Sequence, residues 1–554
     1  MTGAQVLLHS LVKNNINTIF GYPGGAIMPI YDALAKTPEL RHILVRHEQG
    51  AIHAAEGYAR YTNTIGVCFA TSGPGATNLV TGLVDAMMDS VPILAITGQV
   101  FSDLIGLDAF QETDIVGITA VTTKYNFLIR EPELIEDAVY EAIKIATSQR
   151  PGPVLIDISK DAQSGEIKNK KTVYHIPMNI KKNPDDTDIK DAAEIINNSK
   201  NPLILAGHGI RISETYKDLL NLAETGNIPV ACTLHGLSSI DEYHPLYIGM
   251  LGMHGNYAPN IATEKADCII ALGMRFDDRV TGRLDGYARS AKIIHVDIND
   301  NEIAKNVKPD ISIHSDLKEF FKKIQPHIKH KERKEWFLRI KEWEEEENIK
   351  VINKEDKNPE LTCSYVVKRL SEITEGKALI VADVGQNQMI AARYYKSRTP
   401  NSFFTSGGAG TMGFALPAGI GVEVASIDKE CWIIVGDGGI QMTMQEIAVI
   451  KQEKINVKIA IINNGYLGMV RQWQDLFFDG QLSHVELLNP DFIKLAEAFG
   501  IKGETVDTKD KVDGAIKRAR QYPGPYIIEF KTLKEEAVFP MIEPGASTGE
   551  IRLE

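Results

Sequence analysis

The feature that most constrains the fold of this chain is an alternation of short β-branched or aliphatic runs with longer amphipathic segments. Such alternation indicates parallel sheets, because two parallel strands need a crossover connection, which is usually a helix. We therefore predict an α/β fold of parallel sheets flanked by helices. The runs that predict strands are Ile65–Ala70, Ile93–Thr97, Val154–Ile158, Leu203–Ala206, Cys268–Leu272, Ile293–Asp297, Leu379–Ala382, Trp432–Val435 and Lys458–Ile462.

Two polar stretches divide this pattern into three parts. The first covers residues 164–188, and the second, at 327–359, is dense in Lys and Glu and has the composition of an exposed helix before a linker. A chain of 554 residues is also too long for one hydrophobic core. We predict three domains, at residues 1–165, 186–326 and 360–554.

The first and third parts share a short motif. Pro-Gly-Pro-Val-Leu-Ile-Asp at 151–157 ends the first part, and Pro-Gly-Pro-Tyr-Ile-Ile-Glu at 523–529 lies near the end of the third. Each motif indicates a rigid turn that leads into a terminal strand. Seven residues can match by chance; the alternative is that the two domains share a fold.

Composition narrows the class of protein. The net charge of −13 argues against a nucleic-acid partner or an anionic membrane surface. The five cysteines contain no CxxC pair and mostly lie in or beside apolar runs, which predicts buried, reduced thiols. No apolar run reaches the roughly 18–20 residues of a membrane helix, and the N-terminus lacks the pattern of a signal peptide. We expect a soluble cytoplasmic protein.

The most specific local feature lies in the third part. Gly-Asp-Gly-Gly at 436–439 follows one predicted strand, and Asn-Asn-Gly at 463–465 follows the next. Because the crossover between parallel strands is right-handed, both turns are expected at one edge of the sheet, where ligands bind. Asp437 and Asn464 carry hard oxygens that suit Mg²⁺ beside a diphosphate. The alternative is a pair of ordinary tight turns.

This spacing resembles the thiamine-diphosphate-binding motif. The resemblance implies that Asp437, Asn464 and the backbone carbonyl of Tyr466 hold Mg²⁺. It also implies that the first and third domains share the thiamine-diphosphate-binding fold and that the middle domain is Rossmann-like. A GxGxxG pattern at 408–413 lacks the context of a dinucleotide-binding unit. The resemblance implies instead that the segment 406–417 lines the thiamine site. The implied contacts to thiamine diphosphate are Gln386, Asn387, Gly408, Met412, Gly438, Gly439 and Met442.

Glu48 is the predicted catalytic residue. A predicted strand, His42–Val45, ends just before it, and a helix rich in small residues follows. On position alone, Glu48 is a carboxylate favoured at a helix N-terminus. By resemblance it matches the glutamate that binds N1′ of the aminopyrimidine and promotes proton removal from thiazolium C2. The family also implies a homodimer or homotetramer, with active sites at the dimer interface.

Four further stretches resemble acetohydroxyacid synthases (acetolactate synthases), at 70–78, 108–113, 275–282 and 467–473. This resemblance implies that pyruvate is decarboxylated and joined to a second pyruvate or to 2-oxobutanoate, in valine, leucine and isoleucine synthesis. Arg279 matches the cation for the acceptor carboxylate; a surface ion pair with a neighbouring Asp is the alternative. The other implied substrate residues, for several of which core packing is the alternative, are Phe110, Gln111, Lys160, Met469 and Trp473.

The middle part matches FAD-binding segments of the same family. Gly-His-Gly at 207–209 is by itself only a glycine turn, whereas Arg-Phe-Asp-Asp-Arg at 275–279 is the sharper sign. FAD would be structural, because the net reaction transfers no electrons. The implied FAD contacts are Arg150, Gly207, Gly209, His254, Arg275, Asp297 and Asp316.

Two other functions stay open at this point. One is a flavin-dependent pyruvate oxidase, in which FAD accepts electrons. The other is a non-catalytic paralogue that acts as a binding or assembly subunit; the presence of Glu48, Asp437 and Asn464 argues against it. No small regulatory domain is visible within the chain, so the family resemblance also implies a separate small regulatory subunit.

Overall fold

A computed structural model describes residues 1–169, 171–173 and 183–554. It contains three six-stranded sheets, and the paired strands in each are parallel. This confirms the predicted α/β class. The sheets span residues 18–159, 202–314 and 379–531, and the domain bounds stay a prediction. Part of the first polar stretch, residues 170 and 174–182, lies outside the described residues.

The first sheet has the order β2-β1-β3-β4-β6-β5. Its strands are β1 (Thr18–Gly21), β2 (Arg41–Leu44), β3 (Gly66–Ala70), β4 (Ile93–Gln99), β5 (Tyr125–Ile129) and β6 (Val154–Ser159). Its helices are α1 (Gly3–Lys13), α2 (Met28–Leu34), α3 (Glu48–Thr62), α4 (Pro74–Thr77), α5 (Val80–Asp89), α6 (Ile115–Thr119), α7 (Ile135–Thr147) and α8 (Lys160–Ser164).

The central sheet has strands β7 (Pro202–Ala206), β8 (Val230–Cys232), β9 (Tyr247–Met250), β10 (Cys268–Leu272), β11 (Lys292–Asp297) and β12 (Ile311–His314). The helices around it are α9 (Asp186–Asn198), α10 (His208–Ile212), α11 (Tyr216–Gly226), α12 (Tyr257–Lys265), α13 (Asp278–Thr281) and α14 (Leu317–Ile324). The order β12-β11-β10-β7-β8-β9 is the strand order of a Rossmann fold read from its far edge. The Rossmann-like prediction is therefore confirmed.

The second polar stretch contains the α-helices α15 (Lys334–Glu347) and α16 (Asn353–Lys357), joined by a π-helical turn, Asn348–Ile352. The sequence predicts an exposed helix here, but α15 also has a buried side. Trp336 and Ile340 are 1% and 2% exposed, and Trp336 Nε1 donates a hydrogen bond of 3.0 Å to the carbonyl of Pro202. This linker helix therefore packs on the central domain instead of standing free in solvent.

The third sheet has strands β13 (Leu379–Ala382), β14 (Phe403–Thr405), β15 (Cys431–Gly436), β16 (Lys458–Asn463), β17 (Lys502–Val506) and β18 (Tyr526–Lys531). Its helices are α17 (Cys363–Ile373), α18 (Gln386–Tyr394), α19 (Ala415–Ala425), α20 (Asp437–Thr443), α21 (Ile447–Gln452), α22 (Gly468–Phe477), α23 (Phe492–Ala498) and α24 (Lys509–Gln521). The order β14-β13-β15-β16-β18-β17 repeats that of the first sheet strand for strand. The two domains therefore share a fold, and the Pro-Gly-Pro motifs precede the corresponding strands β6 and β18.

Helices α3 and α19 join the first and third domains by direct backbone contact. A Cβ atom at Gly57 would lie 2.0 Å from the carbonyl oxygen of Ala418, and one at Gly421 would lie 1.8 Å from that of Ala54. Real Cβ contacts are never this short, so both positions need glycine for this close approach. The helix that begins at Glu48 is thus held firmly against the third domain of its own chain.

Two expectations from composition can be compared with the structure. All five cysteines are buried and none forms a disulfide, as predicted. Among the described residues, no helix combines the length and the apolar character needed to cross a bilayer.

Candidate active site

Asp437 begins α20 directly after β15, at the carboxyl edge of the third sheet. Its side chain is buried and accepts backbone hydrogen bonds from Gly465 to Oδ2 over 2.8 Å and from Gly438 to Oδ1 over 3.0 Å. Burial raises the pKa of this carboxyl, and the hydrogen bonds partly offset the rise. The turn after β16 therefore reaches across to the turn after β15, as the crossover argument predicts.

Asn464 and Tyr466 lie on the same edge, because β15 and β16 pair in register up to Gly436 and Ile462. The Asn464 Oδ1 atom accepts the backbone N–H of Tyr466 over 3.0 Å. One cavity is lined by all three residues predicted to hold the metal, together with residues at the carboxyl ends of β13, β15, β16 and β18. A carboxylate, an amide oxygen and a backbone carbonyl form a donor set suited to Mg²⁺.

Most of the predicted thiamine-diphosphate contacts line this cavity, which we call the thiamine cavity. Met442 and Gly408 do not: Met442 is 52% exposed, and the backbone N–H of Gly408 instead donates to Asp89 Oδ1 over 2.7 Å. The predicted residues that line the thiamine cavity are Gln386, Asn387, Met412, Asp437, Gly438, Gly439, Asn464, Tyr466 and Met469.

Asn489 was not identified from the sequence, although its side chain joins the two turns. Its Nδ2 atom donates to Asp437 Oδ2 over 2.7 Å and to Asn463 Oδ1 over 2.9 Å. It follows neither of these strands, so the strand-end argument could not find it. Asn489 orients the carboxylate that would bind the metal, in the manner of the outer partners that support metal ligands elsewhere.

Glu48 is the first residue of α3 and is 8% exposed. Its Oε2 atom accepts a hydrogen bond of 2.9 Å from the side-chain amide of Asn78. A Cβ atom at Gly75 would lie 3.2 Å from Glu48 Oε1, so the missing side chain at Gly75 leaves this oxygen accessible. Asn78 ends the stretch 70–78 noted in the sequence, but its contact with Glu48 was not predicted.

A second carboxyl group, Glu446, lies beneath the same helix start. Both of its oxygens accept the backbone N–H of Arg46, over 3.1 and 3.2 Å. Burial, and to a smaller degree the nearby carboxylate of Glu48, raise the pKa of Glu446 to about 7. Glu446 lies between α20 and α21, so a side chain of the third domain holds the backbone just before the start of α3.

Glu48 does not line the thiamine cavity of its own chain. The predicted substrate residues are also spread over the surface: Phe110 is 89% exposed, and the side chain of Arg279 is 60% exposed. Arg279 Nε lies 3.8 Å from Asp278 Oδ2, which is the ion pair considered as the alternative. The Nζ atom of Lys160 lies 5.7 Å from the ring centroid of Phe101.

Met469 and Trp473 lie one turn apart on α22, so their side chains share a face of that helix. Met469 lines the thiamine cavity, and Trp473 packs edge-on against Phe477 with ring centroids 5.5 Å apart. The half-buried Gln111 has a left-handed backbone with φ of 61° and lies against Gly73. The described part of one chain thus does not bring all the predicted substrate residues together.

A larger cavity of about 420 Å³, which we call the flavin cavity, lies between the first and central domains. Residues after β7, β8, β10, β11 and β12 line it, so it occupies the carboxyl edge of the central sheet, where Rossmann folds bind ligands. The predicted residues that line it are Arg150, Gly209, Arg275, Asp297 and Asp316.

Two guanidinium groups meet on one wall of the flavin cavity. Arg150 Nη2 and Arg275 Nη1 each donate to the carbonyl of Met88 over 3.0 Å. Burial and the neighbouring Arg275 lower the pKa of Arg150, whereas burial raises the pKa of Asp297 to about 6. Paired cations in a cavity of this size fit a diphosphate group, because its negative charge would relieve their repulsion.

Two other predicted flavin contacts lie off this cavity. Gly207 is the N-cap of α10, and its backbone N–H donates to Leu272. His254 is buried elsewhere, and burial together with Arg393 and Arg279 lowers its pKa to about 4. The role of His254 in flavin binding therefore stays a prediction that the flavin cavity does not support.

Comparison with known proteins agrees with the fold and with the thiamine cavity. Three family models match: the N-terminal TPP binding domain of thiamine pyrophosphate enzymes at residues 1–118, their central domain at 189–324, and their C-terminal TPP binding domain at 383–530. The fold and the site thus define a thiamine pyrophosphate enzyme.

Full-length relatives narrow this class. The chain is 44% identical to acetolactate synthase of Mycobacterium bovis, over 100% of this chain and 91% of the relative. It is 40% identical to the acetolactate synthase isozyme 2 large subunit of Escherichia coli K12, over 100% and 99%. It is 42% identical to the chloroplastic acetolactate synthase 2 of Nicotiana tabacum, over 99% and 85%. The chain belongs to the acetolactate synthase large-subunit family.

Proposed function

We propose that this chain is the catalytic subunit of an acetolactate synthase that decarboxylates pyruvate and joins the two-carbon unit to a second pyruvate or to 2-oxobutanoate. The products would be 2-acetolactate and 2-aceto-2-hydroxybutanoate, in branched-chain amino-acid synthesis. The observation that carries the proposal is the thiamine cavity, which Asp437, Asn464 and Tyr466 all line. The family to which the chain belongs supports the same reaction.

Thiamine diphosphate would supply the electron sink for decarboxylation, and Mg²⁺ would neutralise its diphosphate. The residues of the chain would bind and orient these two groups. The Oδ2 atom of Asp437 accepts hydrogen bonds from Gly465 and Asn489, and the Oδ1 atom of Asn464 accepts one from the backbone N–H of Tyr466. Glu48 would hold a hydrogen bond to the aminopyrimidine N1′, with its second oxygen fixed by Asn78.

We propose that the active site is completed by a second copy of the chain. Glu48 lies outside the thiamine cavity of its own chain, and Phe110 is almost fully exposed. Both observations fit a homodimer or homotetramer in which Glu48 of one chain faces Asp437 of another. The E. coli relative is a large subunit, which supports a separate small regulatory subunit as a further partner.

For the acceptor, we propose that Arg279 binds the carboxylate of the second 2-oxo acid. Its largely exposed guanidinium lies 3.8 Å from Asp278 Oδ2 and 3.4 Å from the sulfur of Met253, so an anionic ligand could replace the long contact to Asp278. Met469 and Trp473 would wall the site and set the preference between a methyl and an ethyl side chain. Such discrimination is limited to about 1–3 kcal/mol per methylene.

We also propose that FAD occupies the flavin cavity in a structural role. The residues fit the group: Arg150 and Arg275 suit its diphosphate, and Asp297 at the end of β11 suits a ribose hydroxyl. No electron transfer is needed in the net reaction. The five buried thiols support a reducing, cytoplasmic compartment.

Product analysis tests the proposed function. Purified chain would be supplied with pyruvate, thiamine diphosphate, Mg²⁺ and FAD, with and without 2-oxobutanoate, and products identified by mass spectrometry. Acetolactate and CO₂ without reduction of any acceptor support the proposal. Acetate or acetyl phosphate formed with flavin turnover would support a pyruvate oxidase instead, and no turnover would support a non-catalytic paralogue.

A further inference from the structure

Asp89, the last residue of α5, lies where the three domains meet and is 2% exposed. Its carboxylate accepts two backbone hydrogen bonds from the third domain. Oδ1 accepts the N–H of Gly408 over 2.7 Å, and Oδ2 accepts the N–H of Gly407 over 3.0 Å. A first-domain side chain thus fixes the backbone at residues 407–408, where the GxGxxG pattern of 408–413 begins.

The same carboxylate faces the flavin cavity. His235, in the short helix Leu234–Gly236, places Nε2 2.9 Å from Asp89 Oδ1, and both residues line that cavity. The guanidinium of Arg60 donates to Asp89 Oδ2 over 2.9 Å. Burial alone would raise the pKa of Asp89, but the neighbouring His235 and Arg60 hold this pKa well below its usual range.

The segment that Asp89 holds also packs directly on His235. A Cβ atom at Gly407 would lie 2.2 Å from His235 Nε2, and one at Gly408 would lie 2.8 Å from the Cβ atom of Met88. Any movement of the flavin cavity wall at His235 therefore displaces residues 407–408. Met88 itself carries the carbonyl that receives both guanidinium groups of the flavin cavity.

The other end of this segment reaches the thiamine cavity. The hydroxyl of Ser406 donates to Asp85 Oδ1 over 2.7 Å and accepts the backbone N–H of Thr411 over 2.9 Å, which closes the segment into a compact loop. The next residue, Met412, lines the thiamine cavity. One loop of seven residues, 406–412, therefore has contacts at both cavities, and Asp89 is the side chain that bonds it to the flavin cavity wall.

We propose that Asp89 is a positioning residue that couples the binding of flavin to the binding of thiamine diphosphate through the loop 406–412. The inference rests on the proposed function, because it needs both ligands. A ligand in the flavin cavity fixes His235 and thereby Asp89, which then holds the loop ready for the second ligand. Each ligand must raise the affinity for the other by the same factor, since coupling between two sites is reciprocal.

The test measures the two dissociation constants independently of turnover. The Kd for FAD is measured by flavin fluorescence, without thiamine diphosphate and at saturating thiamine diphosphate with Mg²⁺ throughout. The Kd for thiamine diphosphate is measured by calorimetry with and without FAD. For the natural chain we expect each ligand to tighten the other about tenfold, within the range usual for coupled sites. For each ligand, the coupling ratio is its Kd without the other ligand divided by its Kd with the other ligand. Asp89→Asn keeps one acceptor oxygen and loses the charge, so both coupling ratios should fall to about two or less.

Two further variants separate coupling from general damage. Asp157→Asn is the matched control: Asp157 is 1% exposed, accepts hydrogen bonds from Thr97 and Gln99, and lies on neither described cavity, so the tenfold ratio should persist. His235→Asn removes the contact to Asp89 from the other side and should also reduce the ratio, even if Asp89→Asn fails to fold.

The outcomes distinguish the two proposals. If the natural chain binds neither FAD nor thiamine diphosphate, the proposed function fails and the coupling fails with it. If both ligands bind but the ratio is one, or if Asp89→Asn and His235→Asn keep the natural ratio, only the coupling is overturned. The coupling is supported if the coupling ratio is lost in Asp89→Asn and His235→Asn and kept in Asp157→Asn. A merely structural role would weaken the binding of both ligands without changing the effect of one on the other.

Discussion

The side-chain amide of Asn78 donates a hydrogen bond of 2.9 Å to Oε2 of Glu48. This bond joins the end of α4 to the start of α3 and leaves Oε1 as the oxygen beside Gly75. The carboxyl group that the proposed chemistry needs is therefore held in one orientation before any ligand binds.

Asn78→Ala should lower kcat by about 10–100-fold, because a hydrogen bond to a charged group contributes about 1.5–3 kcal/mol and 1.36 kcal/mol is tenfold in rate. Steady-state kinetics with pyruvate measures this. Asn14→Ala, which removes a side-chain amide that donates to Ser10 at the end of α1, is the control and should keep full kcat. An Asn78→Ala variant with normal kcat would show that Glu48 needs no such partner.

Asn489→Ala should weaken Mg²⁺ binding about tenfold, because outer partners of metal ligands typically contribute 10–100-fold to affinity. Asn489 is bonded to both Asp437 and Asn463. The measurement is the Mg²⁺ dependence of activity at saturating thiamine diphosphate. Asp437→Asn, which removes the charged ligand itself, should cost considerably more; equal losses in the two variants would argue that Asn489 is a ligand and not a support.

Gly421→Ala should destabilise the protein by at least about 2 kcal/mol, because the new Cβ atom would lie 1.8 Å from the carbonyl oxygen of Ala54. Gly25→Ala is the matched control, since nothing lies within 4 Å of a Cβ atom there. Thermal unfolding of both variants measures the effect. A normal Tm for Gly421→Ala would mean that α3 and α19 can separate without cost.

Glu242 should make stability depend on pH, because burial raises its pKa to about 8 from 4.5. Between these values the folded chain keeps a proton that the unfolded chain releases. The stabilisation from this group is therefore complete below about pH 4.5 and is lost as pH rises through about 8. Each pKa unit corresponds to about 1.4 kcal/mol, so the total effect is a few kcal/mol.

The variant Glu242→Gln tests the predicted direction of this pH dependence of stability, because the amide does not titrate. Glu242 Oε1 accepts the backbone N–H of Ser238 over 3.0 Å, a bond that the amide oxygen can keep. The Tm of the natural chain minus that of Glu242→Gln should fall steadily from pH 5 to pH 8.5. A difference that does not change with pH would contradict the raised pKa.

Much of the fold follows from the sequence, because buried parallel strands have continuous apolar runs. The strands that were not identified are β1, β5, β8, β9, β12, β14 and β17. Five of these lie at the edges of their sheets, and β8 and β14 have only three residues. Edge strands are partly exposed and short strands carry little periodicity, so neither leaves a strong pattern.

Some residues of the candidate site could likewise be predicted from the sequence, and others could not. Asp437 and Asn464 follow consecutive core strands, so topology alone brings them to one edge. Asn489 and Asn78 reach their partners from loops and a short helix, which local spacing does not specify. Asp89 was missed for a different reason: its partners Gly407 and His235 belong to two other domains, and the packing of domains is not encoded in any one segment.

The most direct test of the account is the stoichiometry of products from pyruvate alone, measured with thiamine diphosphate, Mg²⁺ and FAD present. The account predicts one acetolactate and one CO₂ for every two pyruvate consumed, with the flavin absorbance unchanged. Glu48→Gln should abolish this turnover while FAD remains bound. Acetate formed in step with flavin reduction, or full activity in Glu48→Gln, would contradict it.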